Sequence, residues 1–307
     1  MGYNRYDSSK RHIVHIDNEV QYKAPASCHR GFSLIELLMA MTITVGIGMV
    51  VFQLFYRNER VFRDQNLILE MQQNARAVAS QIAEEIRMAG QGVPVYAATF
   101  DSVPSEAVIS ILPTSTSSRI DFRAGVSNVE TGVTSPAPID CSVGVAITLS
   151  VASATGFSKG DFIYIWGVAD NGTWTWVRAE LIGVASNSLT LVARQAQRDP
   201  SRFARLPNVS LDESVSFQFS GNTIKRATAS GGSWSPANEI GRNMASLTFI
   251  YYDAANRIIT PSSLAERRAI ARVDIQLVAQ TSDFLSNRTR PSYPISLRAI
   301  PRNLTIR

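Results

Sequence analysis

Between Leu37 and Tyr56 the chain runs for twenty residues without a charge, and Arg57 ends the run. Twenty helical residues cover about 30 Å, the hydrocarbon thickness of a bilayer. The wider segment Phe32–Tyr56 reads FSLIELLMAMTITVGIGMVVFQLFY. A buried helix of a soluble protein is the plain alternative, but such helices seldom stay uncharged for so long. A secretory signal peptide has a shorter apolar part followed by a small-residue cleavage site. RNERVFRDQ after Tyr56 offers no such site, so the segment is expected to be retained. With 45% apolar and 18% charged residues in 307, the remainder is neither disordered nor a multi-span membrane protein.

The flanking charges do not orient the span. Lys23 and Arg30 precede it, and Arg57, Arg60 and Arg63 follow it, so the positive-inside rule leaves both orientations open. Glu36 is the unusual residue, an acid four positions into the apolar run. A carboxylate at mid-membrane costs about 2.5–3.5 kcal/mol on insertion scales, and less near an end. It either snorkels to the headgroups or meets a cation. At ~4 Å and an effective dielectric of 20, that pairing carries about 4 kcal/mol of gross attraction.

Arg30-Gly31-Phe32-Ser33-Leu34-Ile35-Glu36 followed by an apolar helix resembles the processing signature of type IV pilins and type II secretion pseudopilins. The resemblance implies cleavage after Gly31 by a membrane-bound prepilin peptidase on the cytoplasmic side. It implies methylation of the new N-terminus at Phe32. It also implies that Glu36 docks the subunit against the N-terminal ammonium of a neighbour in a filament. Residues 1–31 would then be a leader. Major pilins often carry a helix-breaking proline in the span and a C-terminal disulfide loop. This chain has no proline between Phe32 and Val93, and only Cys141 follows the leader, which also holds Cys28.

Helical periodicity continues past the span. Met71, Ala75, Val78, Ile82 and Ile86 recur at spacings of three and four with Ala79 and Ala89 beside them, while Arg76, Glu84 and Glu85 lie off the stripe. Gly90, Gly92 and Pro94 supply the stop. A helix from Ser33 to Ala89 would be 57 residues and about 85 Å long. Its first half is apolar all round and its second half one-sided, the pattern of a helix buried in lipid or filament and then docked on a globular head. Gly46 and Gly48 either loosen this helix or allow close packing between helices. The string EMQQNARAVASQIAEEIRMAGQG also resembles the second helical half of W-type minor pilins and of J-type minor pseudopilins.

After Pro94 the period becomes two. Strands are expected at Ala107–Leu112, Arg119–Arg123, Val145–Val151, Asp161–Trp166, Trp174–Val184, Leu189–Arg194, Val215–Phe219, Leu247–Tyr252, Arg268–Ala279 and Ile295–Ile306. Asp170-Asn171-Gly172, Ser186-Asn187, Gly221-Asn222 and Gly231-Gly232 separate several of them. No further helix of useful length is expected, so the head should be mostly antiparallel. Residues 281–292 read as a polar loop. The expected class is α+β: a leader (1–31), a helix (32–90, with 32–56 transmembrane) packed on a β-sheet head, and the head itself (91–307). Within the head, about 140–196, a small β-barrel or an excursion from the main sheet holds Trp166, Trp174 and Trp176. That cluster reads as core and hairpin packing before it reads as a ligand face. The C-terminal strands resemble the closing sheet of W-type minor pilins.

Chemistry is sparse. His12, His15 and His29 all lie in the leader, so the rest has no histidine for a Ser-His-Asp site or a metal. No P-loop, Gly-rich dinucleotide turn or EF-hand loop is present. Neither a catalytic role nor a cofactor or metal is expected. Arg194, Arg198, Arg202 and Arg205 form a basic loop, solvated or able to meet nucleic acid.

The expected function is that of a minor pilin built into a type IV pilus, with a type II secretion minor pseudopilin as the alternative. A tip adhesin or DNA-binding module on a pilin stalk is the third reading. The expected partners are prepilin peptidase, other major and minor pilins, inner-membrane lipid and, at the head, DNA or a surface ligand. The protein would wait as a single-pass inner-membrane protein with its head outside the cytoplasm, then enter a pilus or periplasmic filament.

Overall fold

The computed structural model of the chain describes residues 32–94, 109–230 and 233–301. Helix α1 runs Leu34–Arg87, 54 residues against the 57 expected. Two compact units divide within it, at Arg57/Asn58. In the first unit every residue from Phe32 to Arg57 is exposed. The helix is long and apolar enough to cross a membrane, with 0% of its apolar window buried in the molecule. Inside it, the Thr42 hydroxyl donates to the carbonyls of Leu38 and Met39, and the Thr44 hydroxyl to that of Ala40. No side-chain donor of these threonines would face lipid unpaired.

The second unit begins with the docked part of α1. Its buried face is Met71, Ala75, Val78, Ala79, Ile82 and Ile86, as the periodicity predicts. Glu85 is a correction: it is buried too. Both its carboxylate oxygens accept from Arg226 Nε at 2.9 Å, and Gln81 Nε2 donates to it at 3.2 Å. An acid enters the packed stripe because the sheet brings it a guanidinium. The helix stops where glycine was expected, with Gly90 at φ 88° and Gly92 at φ 77°. A Cβ on Gly92 would sit 3.3 Å from Gly125 Cα, so glycine is also needed for backbone approach.

The strands are β1 (Arg119–Arg123), β2 (Glu130–Gly132), β3 (Ile139–Cys141), β4 (Ala146–Ser150), β5 (Phe162–Val168), β6 (Trp174–Ala185), β7 (Ser188–Ala196), β8 (Ser201–Phe203) and β9 (Asn208–Leu211). They continue as β10 (Glu213–Ser220), β11 (Thr223–Ser230), β12 (Ser233–Trp234), β13 (Asn238–Gly241), β14 (Met244–Asp253) and β15 (Ile258–Ile259). A short helix α2 (Leu264–Ala269) precedes β16 (Ile270–Gln280) and β17 (Ser292–Ala299).

One sheet is ordered β1-β10-β11-β12 with β13 beside β11, and another β15-β14-β16-β17. Their inner faces and α1 share a single apolar core that includes Phe122, Phe217, Phe249, Ile275 and Leu277. A fully buried aliphatic or aromatic side chain contributes roughly 1.5–3 kcal/mol, so this core holds the helix. Gly241 packs directly on α1: a Cβ there would lie 2.8 Å from Val78 Cγ2.

The other large sheet, β2-β9-β5-β6-β7-β4, has its own core with Ile163, Ile165, Val177, Leu189, Leu191 and Phe203. It is a curled half-barrel. Its two edges touch through the Val133↔Val151 bridge and the hydrogen bond from Ala152 N to Gly132 O at 3.0 Å. Four of its strands are those expected within 145–194. β2 and β9 are recruited from outside that segment. Every ladder in the described head is antiparallel, as expected; only the isolated bridge Val143↔Ala193 is parallel.

Three strand boundaries need correction. Residues 107 and 108 lie outside the described residues, and the rest of Ala107–Leu112 meets β1 through one bridge, Ile111↔Phe122. Pro113 follows and cannot donate to a ladder. β16 starts at Ile270, not Arg268, because α2 intervenes. Ser263 caps that helix: its hydroxyl accepts from Glu266 N, and Glu266 accepts from Ser263 N. The last strand spans Ser292–Ala299, not Ile295–Ile306, with Pro301 two residues beyond its end and 302–306 outside the described residues. Ser292 thus belongs to β17 rather than to the preceding loop.

Candidate processing and assembly site

Gly31 lies outside the described residues; Phe32 and Glu36 lie at the start of α1. Ser33 is the residue before the helix, and its carbonyl accepts from Glu36 N at 3.0 Å and Leu37 N at 3.2 Å. Glu36 Oε2 in turn accepts from Ser33 N at 3.4 Å. Ser33-Leu34-Ile35-Glu36 is therefore half of a capping box, a spacing open to inspection in the sequence but not used there. An acid in the first turn also faces the positive end of the helix dipole, worth about 0.3–1 kcal/mol. Phe32 is 82% exposed. Among the described residues Glu36 has no cationic partner.

The hydrophobic residues about Glu36 are open to an environment, and its carboxylate keeps most of its acceptor capacity after one long hydrogen bond. Gly46 and Gly48 have nothing within 4 Å of where a Cβ would stand. No packing among the described residues explains them.

The remaining candidates fall elsewhere. Cys141 is 1% exposed, and burial, with Asp140 beside it, pushes its thiol up to about 12, so the thiolate needed for nucleophilic chemistry is not formed near neutrality. Trp176 is buried at 4%, while Trp166 and Trp174 stack with centroids 5.9 Å apart on the outer side of the β5–β6 hairpin. The register places all three indoles on one face of the hairpin, opposite that of Ile163, Ile165 and Val177, so the packing seen is on the hairpin and outside the half-barrel core. In the basic loop Arg194 pairs with Glu180 at 2.7 Å and Arg202 with Asp140 at 3.5 Å, which reduces the charge left to attract nucleic acid. Among the described residues no group of acids, histidines and cysteines is arranged to hold a metal.

Sequence reasoning missed an ionic joint that links β6 of the half-barrel to β1 of the neighbouring sheet. Asp212, between β9 and β10, accepts from Arg178 Nε at 2.7 Å and lies 3.3 Å from Arg123 Nε. Arg178 also covers the Phe162 ring at 3.9 Å. Nothing in residue spacing joins positions 123, 178 and 212.

Residues 26–51 match the family described as the prokaryotic N-terminal methylation motif. The chain thus carries the signature of type IV pilin-like proteins, which marks it as a substrate of prepilin processing with pilin-type assembly partners. Its apolar helix is consistent with single-pass membrane anchoring. No curated protein and no solved structure matches the chain.

Proposed function

We propose that the protein is a minor pilin, a structural subunit rather than an enzyme, placed in a type IV pilus to prime or cap assembly. The observation that carries this reading is an acid without a cationic partner among the described residues, five positions beyond Gly31, on a helix start that is exposed on all sides. Cleavage after Gly31 turns a peptide nitrogen into an ammonium at Phe32, and methylation keeps its charge. Before assembly, Glu36 stays close to the headgroups, braced by its own helix terminus. In the filament its carboxylate meets the Phe32 ammonium of a neighbouring copy or another pilin. The low dielectric of the packed helices makes that pairing strong and makes its absence costly. The head stays outside the cytoplasm and the helix enters the filament core.

The absence of a proline in the span and of a disulfide-ready cysteine pair after residue 31 supports a minor rather than a major subunit. A type II secretion pseudopilin uses the same N-terminal physics. Linkage of the gene to a retraction motor favours the pilus, and linkage to a secretin operon without one favours secretion.

Two measurements test the proposal. Mass spectrometry of the native protein should find a chain beginning at Phe32 and heavier by one methyl group. Glu36→Ala should leave cleavage intact and reduce the protein in sheared filaments by tenfold or more. A native N-terminus elsewhere, or wild-type incorporation of Glu36→Ala, removes the assignment.

A further inference from the structure

Because strand residues alternate faces, the β1–β10–β11 sheet that buries Phe122 and Phe217 against α1 presents Arg119, Ser216 and Lys225 on its other side. There the register sets Ser214 opposite Ala229 and Ser216 opposite Ala227, so four side chains in the middle of the sheet end at or just beyond Cβ. They form the floor of a trough. Trp234 of β12, paired with Ala229, forms a wall across it and is 38% exposed. Two hollows flank this indole. One of about 200 Å³ is bounded by Arg119, Lys225, Ser216, Gln218 and Ser235, the other of about 140 Å³ by Arg123, Arg178, Asp212 and Ser214.

The charge on the walls is unequal. Asp121 is taken by Arg119, whose Nε donates to both its oxygens at 2.9 and 2.8 Å. Asp212 is shared between two guanidiniums. Glu239 stands opposite Lys225 in the register and is itself held by Arg242. Against these three carboxylates stand five cations, Arg119, Arg123, Arg178, Lys225 and Arg242, which leaves one surplus positive charge at each end. The Arg119 guanidinium lies 5.6 Å from the Trp234 ring centroid and helps hold the indole upright.

We propose that this trough binds an acidic saccharide, a short uronate oligomer whose ring packs on Trp234 with carboxylates toward Lys225 at one end and the Arg123–Arg178 pair at the other. Each hollow is smaller than the ~300 Å³ at which small-molecule pockets usually begin, so it takes one ring or one substituent rather than a bulky ligand. The electron-rich indole face suits the polarised C–H groups of a sugar ring. Serine hydroxyls and the Gln218 amide suit its hydroxyls. Arginine beside a carboxylate gives the stronger, charge-assisted hydrogen bond. An acidic peptide shares the charge but not the need for a single flat apolar face between two small hollows. The proposal stands apart from how α1 is used, since it holds for either kind of filament.

The test is titration of the full-length protein in detergent micelles with trigalacturonate, with galactotriose and hexaglutamate as comparison ligands, followed by calorimetry. Trigalacturonate should bind, weaken about tenfold or more as salt rises from 50 to 300 mM, and outcompete both comparison ligands. Trp234→Ala and Lys225→Gln should each weaken binding at least tenfold without a change in thermal midpoint, and Trp174→Ala, away from the trough, should bind as wild type. If Trp234→Ala lowers the midpoint, Trp234→Phe, which keeps an aromatic face, should recover most of the affinity. The proposal fails if trigalacturonate does not bind at low salt, or if galactotriose binds as tightly. Preference for hexaglutamate, affinity unchanged in Trp234→Ala and Lys225→Gln, or loss on Trp174→Ala would equally overturn it.

Discussion

Two glutamates on one helix meet opposite fates. Glu85 is buried and paired with Arg226 inside the chain; among the described residues Glu36 has only the Ser33 amide. Removing Arg226 strands a buried carboxylate, so Arg226→Ala should destabilise the head by about 3 kcal/mol, less for each point at which water reaches Glu85. Denaturant unfolding measures it, and the double variant with Glu85→Gln should regain part of the loss. A loss no larger than that of an exposed arginine would show that the pair is incidental. Gly46 and Gly48 make the converse case. With open space at both Cβ positions, alanine should favour the isolated helix by about 1 kcal/mol each. Helix content in micelles should therefore hold or rise in Gly46→Ala/Gly48→Ala, while recovery in filaments falls if neighbouring helices pack there. At this level the methylation motif was legible because it is local. Glu85 was misjudged because its partner is 141 residues away.

The elements show how local signals compete with distant ones. α1 could be read almost to the residue, since a charge-free run, a 3.6-residue stripe and two glycines agree. The short α2 escaped because Leu264–Ala269 is too brief to show a period, although Ser263 and Glu266 form a capping box. Hydrogen bonds from the Ser262 hydroxyl first, then from Ser263, hold the Glu266 carboxyl down to about 2 from its ordinary 4.5. A carboxyl depressed on folding stabilises above its unfolded value, and that stabilisation is lost as pH falls toward the folded one. Glu266→Ala should therefore lower the thermal midpoint at pH 7, and its gap from wild type should narrow between about pH 5 and 2. A gap that stays constant over that range would count against the capping role. β11 was invisible for another reason. Thr223–Ser230 buries only Ile224 and Ala229, and its place in the sheet depends on Arg226 meeting α1 and on pairing along β10.

Across the molecule, two compact units meet within α1 at Arg57/Asn58: an exposed apolar rod and a helix-backed β head with two cores. If the head stands outside the cytoplasm, protease added to intact spheroplasts should digest it and spare a membrane-protected fragment containing the span, while closed inverted vesicles should protect the head. Protection in spheroplasts would reverse the orientation. What the sequence determined alone is whatever depends on neighbours along the chain: the uncharged span, the processing string, the amphipathic stripe, the turn-bounded antiparallel strands. Desolvation, helical period and cap chemistry act over a few residues, so they can be read from a line of letters. The tertiary structure decided the division of the strands into two cores, the Asp212 joint between Arg123 and Arg178, the burial of Glu85, and the trough around Trp234. Each of these joins residues tens to over a hundred positions apart, and only chain closure, through register and packing, chooses which distant charges and surfaces meet.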